Sequence, residues 1–148
     1  MSRFLLDTDV ISMLSPSRTD ASPRFLDWLE RMDGEGRIFL CVISVHEIEK
    51  WISLLEQKAA VAKAAALRGW LTGLTTSFID KILDLDAEAA ALSGRLEAEA
   101  LSHGADPGMA DAVIAGIAQA HALTIVSRNA KHFRPLGVKV ITPEEGVA

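Results

Sequence analysis

The stretch "RFLLDTDVIS", residues 3–12, decides the fold that we predict for this chain. Its apolar run, residues 4–6, ends abruptly in Asp7, which is followed by Thr8 and a second acid, Asp9. A short apolar run bounded by polar residues is typical of a buried strand. We therefore expect the first strand to deliver a carboxylate at the point where the chain leaves the core.

Apolar runs of strand length recur along the chain and alternate with segments of helical periodicity. Strands are predicted at 4–6, 38–44, 82–85, 124–127 and 138–141. Strands that alternate with helices are typical of a parallel sheet that is covered by helices on both faces. No repeat or interdomain linker interrupts the pattern, so we predict a single α/β domain over residues 1–148.

Capping signals and apolar spacing locate the helices. Ser22 as N-cap and Pro23 at the first helical position predict a helix that ends near residue 32. A second helix is predicted to start near Ser44, with apolar residues at core spacing: Ile48, Trp51, Ile52 and Leu55. Within it, Ser44-x-x-Glu47 has the spacing of a capping box. Further predicted helices cover residues 59–74, 87–101 and 107–121.

Composition and charge narrow the classes of protein. The chain has 148 residues, 49% hydrophobic and 24% charged, and no apolar run approaches the roughly 18 residues of a membrane span. An acid at Asp7 comes too early for a signal peptide, so we expect a cytoplasmic protein that does not bind membranes. Cys41 is the one cysteine, which excludes an intrachain disulfide, and it is predicted to be a small buried hydrophobe.

The charge is unevenly distributed. A net charge of −5 argues against a protein that coats nucleic acid by bulk charge. Residues 124–139, however, contain four basic residues and no acid: Arg128, Lys131, Arg134 and Lys139. Such a cluster is either a local basic surface or an ordinary solvated face.

Three acids fall near predicted strand ends or helix starts. Asp7 ends the first strand, Glu47 follows the second, and Asp111 begins the helix that precedes the fourth. Carboxyl ends of parallel strands share one edge, so convergence is expected. Each acid also has a structural interpretation: Asp7 as a helix cap, Glu47 in the capping box, and Asp111 at a positive helix end. Asp111 is the hardest to explain structurally, because Ile114, Ala115 and Ala118 place it on an apolar helix face.

Crowding of these acids would need a counter-charge. Carboxylates about 5 Å apart repel by roughly 3 kcal/mol per pair at an effective dielectric constant near 20. No arginine close in sequence is available to offset that repulsion. A divalent cation would resolve it, and all-oxygen ligands favour Mg²⁺ or Mn²⁺. Such a site suits phosphodiester hydrolysis.

Three segments carry a family resemblance: "LLDTDVIS", "ISVHEIEKW" and "DAVIAGIAQAHALTIVSRNAKHF". In order and spacing they resemble the PIN-domain ribonucleases, especially the VapC-type and FitB-like toxins of prokaryotic toxin–antitoxin (plasmid stability) pairs. The resemblance implies a PIN-like three-layer α/β/α fold around a central, mainly parallel sheet of about five strands. It also implies a Mg²⁺- or Mn²⁺-dependent endoribonuclease. The implied catalytic residues are the metal ligands Asp7, Glu47 and Asp111, with Asn129 beside them.

The resemblance implies partners as well. These are an RNA substrate, a small antitoxin, a second copy of the toxin in a homodimer, and DNA that is bound only through the antitoxin. The predicted helical arm, residues 47–74, is a candidate surface for these contacts, with core packing as the alternative. We predict that Arg128 and Lys131 steer the RNA backbone. Family members often have an aspartate where this chain has His132.

Two other functions stay open. The first is a haloacid-dehalogenase-like phosphatase, because Asp7-x-Asp9 imitates its nucleophile motif and Asp106 with Asp111 imitates its distal acids. Those distal acids should follow a strand, whereas "SGRLEAEALSHGA" is predicted to be helical. Replacement of Asp9 would distinguish the two activities, because this residue should be indispensable in the phosphatase and nearly dispensable in the nuclease. The second is a catalytically degenerate PIN module that only binds an antitoxin. A lack of divalent-cation binding would favour the module.

Overall fold

A five-stranded parallel sheet forms the centre of the fold in the computed structural model, which describes residues 1–147. Its strand order is β3-β2-β1-β4-β5, and each neighbouring pair runs parallel. The strands are short: β1 (Phe4–Leu6), β2 (Ile38–Cys41), β3 (Ile82–Leu83), β4 (Thr124–Val126) and β5 (Val140–Ile141). All five lie within the segments predicted from sequence.

Helices cover both faces of the sheet. One face packs against α1 (Thr8–Met13), α2 (Pro23–Gly34), α3 (Val42–Gln57) and α4 (Val61–Ser77). The other packs against α5 (Ala87–Ser102), α6 (Met109–Ala120) and α7 (Ala130–Phe133). A last helix, α8 (Pro143–Gly146), contacts α2, and 3₁₀ turns span Ile79–Lys81 and Arg134–Leu136. The predicted three-layer arrangement is therefore confirmed.

The unbroken apolar run of β1 follows from its central position. Phe4 and Leu6 pack into the core beneath α1–α4, whereas Leu5 packs into the core beneath α5–α7. A strand that is buried on both faces needs apolar residues at consecutive positions. This burial explains why the run can end only where the chain leaves the sheet, at Asp7.

The pairing of α5 with α6 fixes the position of Asp111. A side chain at Gly116 of α6 would place its Cβ 2.6 Å from Ser93 Cβ and 2.8 Å from the Ala89 carbonyl oxygen of α5, so only glycine permits this approach. Helix α6 leads into the parallel strand β4, and it therefore runs back from the carboxyl edge of the sheet to the amino edge. Its first turn, with Asp111, lies at the carboxyl edge.

Several predicted boundaries are wrong. Strand β2 ends at Cys41 instead of residue 44, because helix α3 begins at Val42 with Cys41 as its N-cap. Ser44 is consequently inside α3, and the predicted capping box with Glu47 does not exist. Strand β3 likewise ends at Leu83, two residues early. Val42 and Ile43 belong to the first turn of α3, and Leu85 lies exposed in the loop before α5. A run of apolar residues does not show where strand pairing stops.

Other local predictions are confirmed. The Ser22 hydroxyl accepts a hydrogen bond from the Phe25 backbone N–H, and Pro23 is the first residue of α2. Cys41 is buried. The arm formed by α3 and α4 contributes Ile48, Ile52 and other residues to the core, and it leaves Leu54 and Val61 exposed. No helix in the described part of the chain has the length and apolar character needed to cross a membrane.

Candidate active site

Four carboxylates gather at the carboxyl edge of the sheet. Asp7 directly follows β1 and is the N-cap of α1, and Asp9 lies in the first turn of that helix. Glu47 lies in the second turn of α3, and Asp111 in the first turn of α6. Asp111 is close enough to Glu47, Asp9 and Asp7 for their charges to influence one another. The structure thus brings the three predicted acids together and adds Asp9 to them.

Asp7 is the most buried of these acids, with 6% of its surface exposed. Its Oδ1 accepts a hydrogen bond from the Thr8 backbone N–H at 2.8 Å, and its Oδ2 accepts one from Ser127 Oγ at 2.7 Å. The pKa of Asp7 is raised to about 7, chiefly by burial and also by the charges of Asp9 and Asp111, while the two hydrogen bonds oppose the shift. A cation at this edge would favour the ionised form.

Glu47 is held through a hydroxyl. Thr8 Oγ1 donates a hydrogen bond to Glu47 Oε1 at 2.6 Å. Ser44 Oγ lies 2.9 Å from Thr8 Oγ1 and donates to it, because the single Thr8 hydroxyl proton already points to the glutamate. Ser44 therefore fixes Glu47 indirectly, across the contact between α1 and α3, instead of capping a helix.

Asp9 has one paired oxygen and one unpaired oxygen. Oδ2 accepts long hydrogen bonds, each 3.4 Å, from Arg128 Nε and Asn129 Nδ2. Oδ1 is buried and has no hydrogen-bond partner within residues 1–147. Arg128 also pairs with Asp20 through Nη1 at 2.9 Å. Arg128 thus brings a positive charge to Asp9 from 119 residues along the chain, a contact that no pattern local in sequence could show.

Asp111 faces a histidine. Partial burial raises the pKa of Asp111, and the charges of Glu47 and Asp9 raise it further. His132 opposes that shift, with its Nδ1 3.6 Å from Asp111 Oδ2. The residue that stands in place of an expected acid therefore contacts the acid cluster and contributes an imidazole there.

The two residues predicted to steer RNA, Arg128 and Lys131, lie at different distances from the acids. Arg128 and Asn129 lie beside the acids, and Asn129 also donates its backbone N–H to Ser127 Oγ at 2.9 Å. Lys131 is exposed and lines a small cavity of about 200 Å³ with His132 and Asp106. Lys131 is thus at the rim of the site rather than in contact with the carboxylates.

Two hydroxyl residues that sequence reasoning did not select position the acids. Ser127, which is fully buried, joins Asp7 to the Asn129 backbone, and Thr8 joins α1 to Glu47. Thr8 follows one predicted strand and Ser127 is the last residue of another, and this nearness to a strand end is the available signal. Their partners are 120 and 39 residues away, so only the fold shows what they bind.

The side chains at the site offer oxygen atoms of the kind that bind a hard cation, but they are not arranged around one metal position. Among residues 1–147, no three His, Cys, Asp or Glu side chains are arranged so that they could hold a metal ion. The nearby donors are nonetheless carboxylate oxygens, one of them buried and unpaired at Asp9, and the pKa of Asp7 is raised by burial and crowded charge. Oxygen donors of this kind are the ligands that Mg²⁺ and Mn²⁺ prefer.

Comparisons with known proteins show similarity over most of the chain. The PIN domain profile matches residues 4–137. The chain is 31% identical to the toxin FitB of Neisseria gonorrhoeae, over 94% of this chain and 96% of that protein. It is also 31% identical to the tRNA(fMet)-specific endonuclease VapC of Shigella flexneri, over 93% of this chain and 94% of that protein.

The fold is similar to that of solved complexes. The crystal structure of FitAcB from Neisseria gonorrhoeae matches with a TM-score of 0.81 and 31% identity, over 95% of this chain and 98% of that one. Other structures with this fold are FitAB and VapBC complexes that hold DNA. The phosphatase alternative fails in the structure, because the segment before Asp106 is helix α5 instead of a strand. This chain belongs to the PIN domain family.

Proposed function

We propose that this protein is a metal-dependent endoribonuclease that acts as the toxin of a type II toxin–antitoxin system. Membership of the PIN domain family, with its VapC-type ribonucleases, supports the class of activity. The observation that carries the proposal is the gathering of Asp7, Glu47 and Asp111 at one sheet edge, where each is buried or half-buried. Such charge crowding is unfavourable unless it serves to bind a cation.

Each residue has a proposed role. Asp7, Glu47 and Asp111 hold Mg²⁺ or Mn²⁺, which when bound supplies positive charge at the scissile phosphate and orients the attacking water. Asn129, beside Asp9, contributes a polar contact at the same site. Arg128 and Lys131 steer the RNA backbone toward the carboxylates.

The carboxylates are prepared for this role by their hydrogen bonds. Ser127 and the Thr8 N–H hold Asp7 in one orientation, and the Thr8 hydroxyl holds Glu47. Because both acids are oriented before a ligand arrives, less conformational entropy is lost on binding. Asp9, with its unpaired Oδ1, is a further oxygen donor in reach of the same region.

The proposed partners follow from the relatives. We propose that a small antitoxin binds and silences this chain, that the toxin forms a homodimer, and that DNA is contacted only through the antitoxin. The FitAB and VapBC complexes with DNA support the last point, as does the net charge of −5. Because cellular RNA is the proposed substrate, the proposed place of action is the cytoplasm.

The test is cleavage of a mixed cellular RNA pool by purified, partner-free protein with Mg²⁺ or Mn²⁺. Wild type is compared with Asp111→Asn and with the control Asp27→Asn, which changes an exposed acid on α2. We expect cleavage by wild type and control, its loss on chelation, and its loss in Asp111→Asn.

Equal cleavage by all three proteins would place the activity in a contaminant and contradict the proposal. A folded wild type that neither cleaves RNA nor binds Mn²⁺ in calorimetry would contradict it too, and would favour the degenerate binding module. Asp9→Asn does not separate nuclease from phosphatase, because Asp9 lies within the acid cluster and its loss would affect either activity.

A further inference from the structure

A row of cations borders the opposite edge of the sheet. The residue that directly precedes β1 is Arg3, and Arg37, Lys81 and Lys139 directly precede β2, β3 and β5. Because the strands are parallel, all four positions lie at the amino edge. In spatial order the row runs Lys81, Arg37, Arg3 and, beyond β4, Lys139.

Two of these cations share one aromatic ring. The Arg3 guanidinium lies 5.5 Å from the centroid of the Phe39 ring, and Lys81 Nζ lies 5.1 Å from the same centroid. Arg3 also donates a hydrogen bond to the His121 carbonyl oxygen at 2.7 Å. The ring and the carbonyl limit the movement of both side chains while leaving other donors free.

Arg37 is held in a similar way on the other face of the sheet. Its Nε donates to the Ser2 carbonyl oxygen at 2.6 Å, and its guanidinium lies 5.7 Å from the centroid of the Phe4 ring. Glu35 pairs with Nη1 at 3.0 Å. Three of the four cations are therefore oriented before any ligand binds, which lowers the entropic cost of binding.

The row keeps an excess of positive charge. Within two residues of the four cations along the chain there are two acids, Glu35 and Asp80, so the cations outnumber these acids by two. An open cavity of about 610 Å³ lies between Arg3 and Lys139 and is also lined by Gln119 and Thr124. Its cations and hydrogen-bonding groups suit phosphate oxygens.

The dimensions fit a chain of phosphates. Neighbouring strands lie about 4.8 Å apart, so a row that spans five strands extends about 19 Å. Asp7 is four positions after Arg3 along β1, which puts the two edges about 13 Å apart. A single RNA strand that leaves the carboxylates can therefore reach the cations around the side of the domain.

We propose that the amino edge, with Arg3, Arg37, Lys81 and Lys139, is an anchoring site for the phosphate backbone of RNA, distinct from the acidic carboxyl edge. The proposal rests on the proposed function for the identity of the ligand as RNA. The amino edge raises the affinity for long substrates and takes no part in bond cleavage.

The test compares two matched double variants. Lys81→Glu with Lys139→Glu alters the row, and Lys58→Glu with Lys63→Glu makes the same charge change on exposed positions around the turn between α3 and α4. Both are placed in the Asp111→Asn background, so that RNA survives the measurement. Affinity for a long, unstructured single-stranded RNA is measured by fluorescence anisotropy over a range of salt concentrations.

We expect Lys81→Glu with Lys139→Glu to bind the long RNA about tenfold more weakly. The slope of log affinity against log salt concentration should become shallower by about 1.4, since each phosphate contact on a single strand contributes about 0.7 to that slope. The control pair should change affinity by less than about twofold, as its lysines make no such contacts. Equal losses in the two pairs, or no loss in either, would overturn the proposal. Duplex DNA that binds more tightly than RNA, with the same sensitivity, would overturn the assignment to RNA.

Two further arms keep the outcomes separate. In the protein that keeps Asp111, the double variant Lys81→Glu with Lys139→Glu should cleave a short RNA as fast as wild type does, because a short RNA occupies only the carboxyl edge. If wild type cleaves no RNA but the amino-edge double variant still binds RNA more weakly, the proposed function fails and the anchoring site stands. If wild type cleaves RNA and the double variant binds RNA as tightly as its parent, only the anchoring site fails. Lys81→Gln with Lys139→Gln, expected to give a smaller loss, replaces the glutamate pair if thermal unfolding shows that charge reversal destabilises the fold.

Discussion

The two edges of the sheet carry opposite charges, and they differ in how many favourable contacts those charged side chains make. At the carboxyl edge, Asp7, Asp9, Glu47 and Asp111 crowd together, and the pKa values of Asp7 and Asp111 are raised. At the amino edge, cations rest on the Phe4 and Phe39 rings and donate to backbone carbonyls.

This difference separates a reactive site from a stable one. The amino edge keeps its charges in favourable contacts without any ligand. The carboxyl edge, in contrast, holds like charges in partial burial with one carboxylate oxygen unpaired, which costs free energy of folding. Strain of that kind is expected where a ligand is to be bound. The comparison predicts that changes at the carboxyl edge separate activity from stability, whereas changes at the amino edge weaken affinity for long RNA and leave the cleavage step unchanged.

The largest expected effect is that of Asp7→Asn on RNA cleavage. We expect a loss of about 100- to 1,000-fold, as for removal of a group that stabilises transition-state charge. Stability without metal should change little: asparagine keeps the hydrogen bond to the Thr8 N–H, and the repulsion from Asp9 and Asp111 that it removes offsets the loss of the hydrogen bond from Ser127 Oγ. Cleavage rates and chemical unfolding measure the two effects. A variant that loses activity only because it unfolds would contradict this separation.

The next effect is the pH dependence of stability in the presence of a chelator. The pKa of Asp7 is about 7 in the folded state, against 3.8 for an unperturbed aspartate in an unfolded chain, so the folded protein binds the extra proton between these values. Stability from this group is therefore greatest below about pH 4 and falls as the pH rises to about 7, by roughly 3 kcal/mol. Urea unfolding of wild type should show this fall, and Asp7→Asn should flatten it. Parallel curves of unfolding free energy against pH for the two proteins would contradict the assignment of this pH dependence to Asp7.

A smaller effect is expected from His132→Asp. It adds a carboxylate beside Asp111, where the histidine now lies 3.6 Å away. Affinity for Mn²⁺ should rise about tenfold, or about 1.4 kcal/mol, while stability without metal falls through added repulsion. Calorimetry and thermal unfolding measure the two changes. His132→Asn removes the imidazole without adding charge, and equal Mn²⁺ affinities for the two variants would disprove the electrostatic explanation.

The smallest effect on stability is expected when Arg128 and Lys131 are both replaced by alanine. Arg128 is partly exposed in its ion pairs with Asp9 and Asp20, and such pairs contribute less than about 1 kcal/mol. RNA affinity should weaken, with a shallower salt dependence, if both residues steer the backbone. Alanine at Lys58 and Lys63 is the control. Unchanged RNA affinity across salt concentrations would remove the steering role.

Sequence patterns located the sheet better than they located the ends of its strands. Strand β1 is buried on both faces, and its apolar run is therefore unmistakable. Residues 42–44 continue the apolar run of β2, yet they belong to α3 and pack from its first turn. Hydrophobicity reports burial but does not show where pairing with a neighbouring strand stops.

The candidate site shows the same division. Asp7, Glu47 and Asp111 could be selected because each stands beside a strand end or at a helix start. The contacts from Ser127 to Asp7 and from Arg128 to Asp9 span 120 and 119 residues and depend on β1 and β4 being neighbours. Strand order is a property of the whole fold, so neither contact could be read from local sequence.

The most direct test of the cation site at the carboxyl edge is calorimetric titration of metal-free, partner-free protein with Mn²⁺. Wild type and the exposed-acid control Asp27→Asn should bind the ion with equal affinity, and Asp111→Asn should bind it at least about tenfold more weakly because one charged oxygen donor is lost. Equal binding by all three folded proteins, or binding by none, would contradict the assignment of the acidic edge as a metal site.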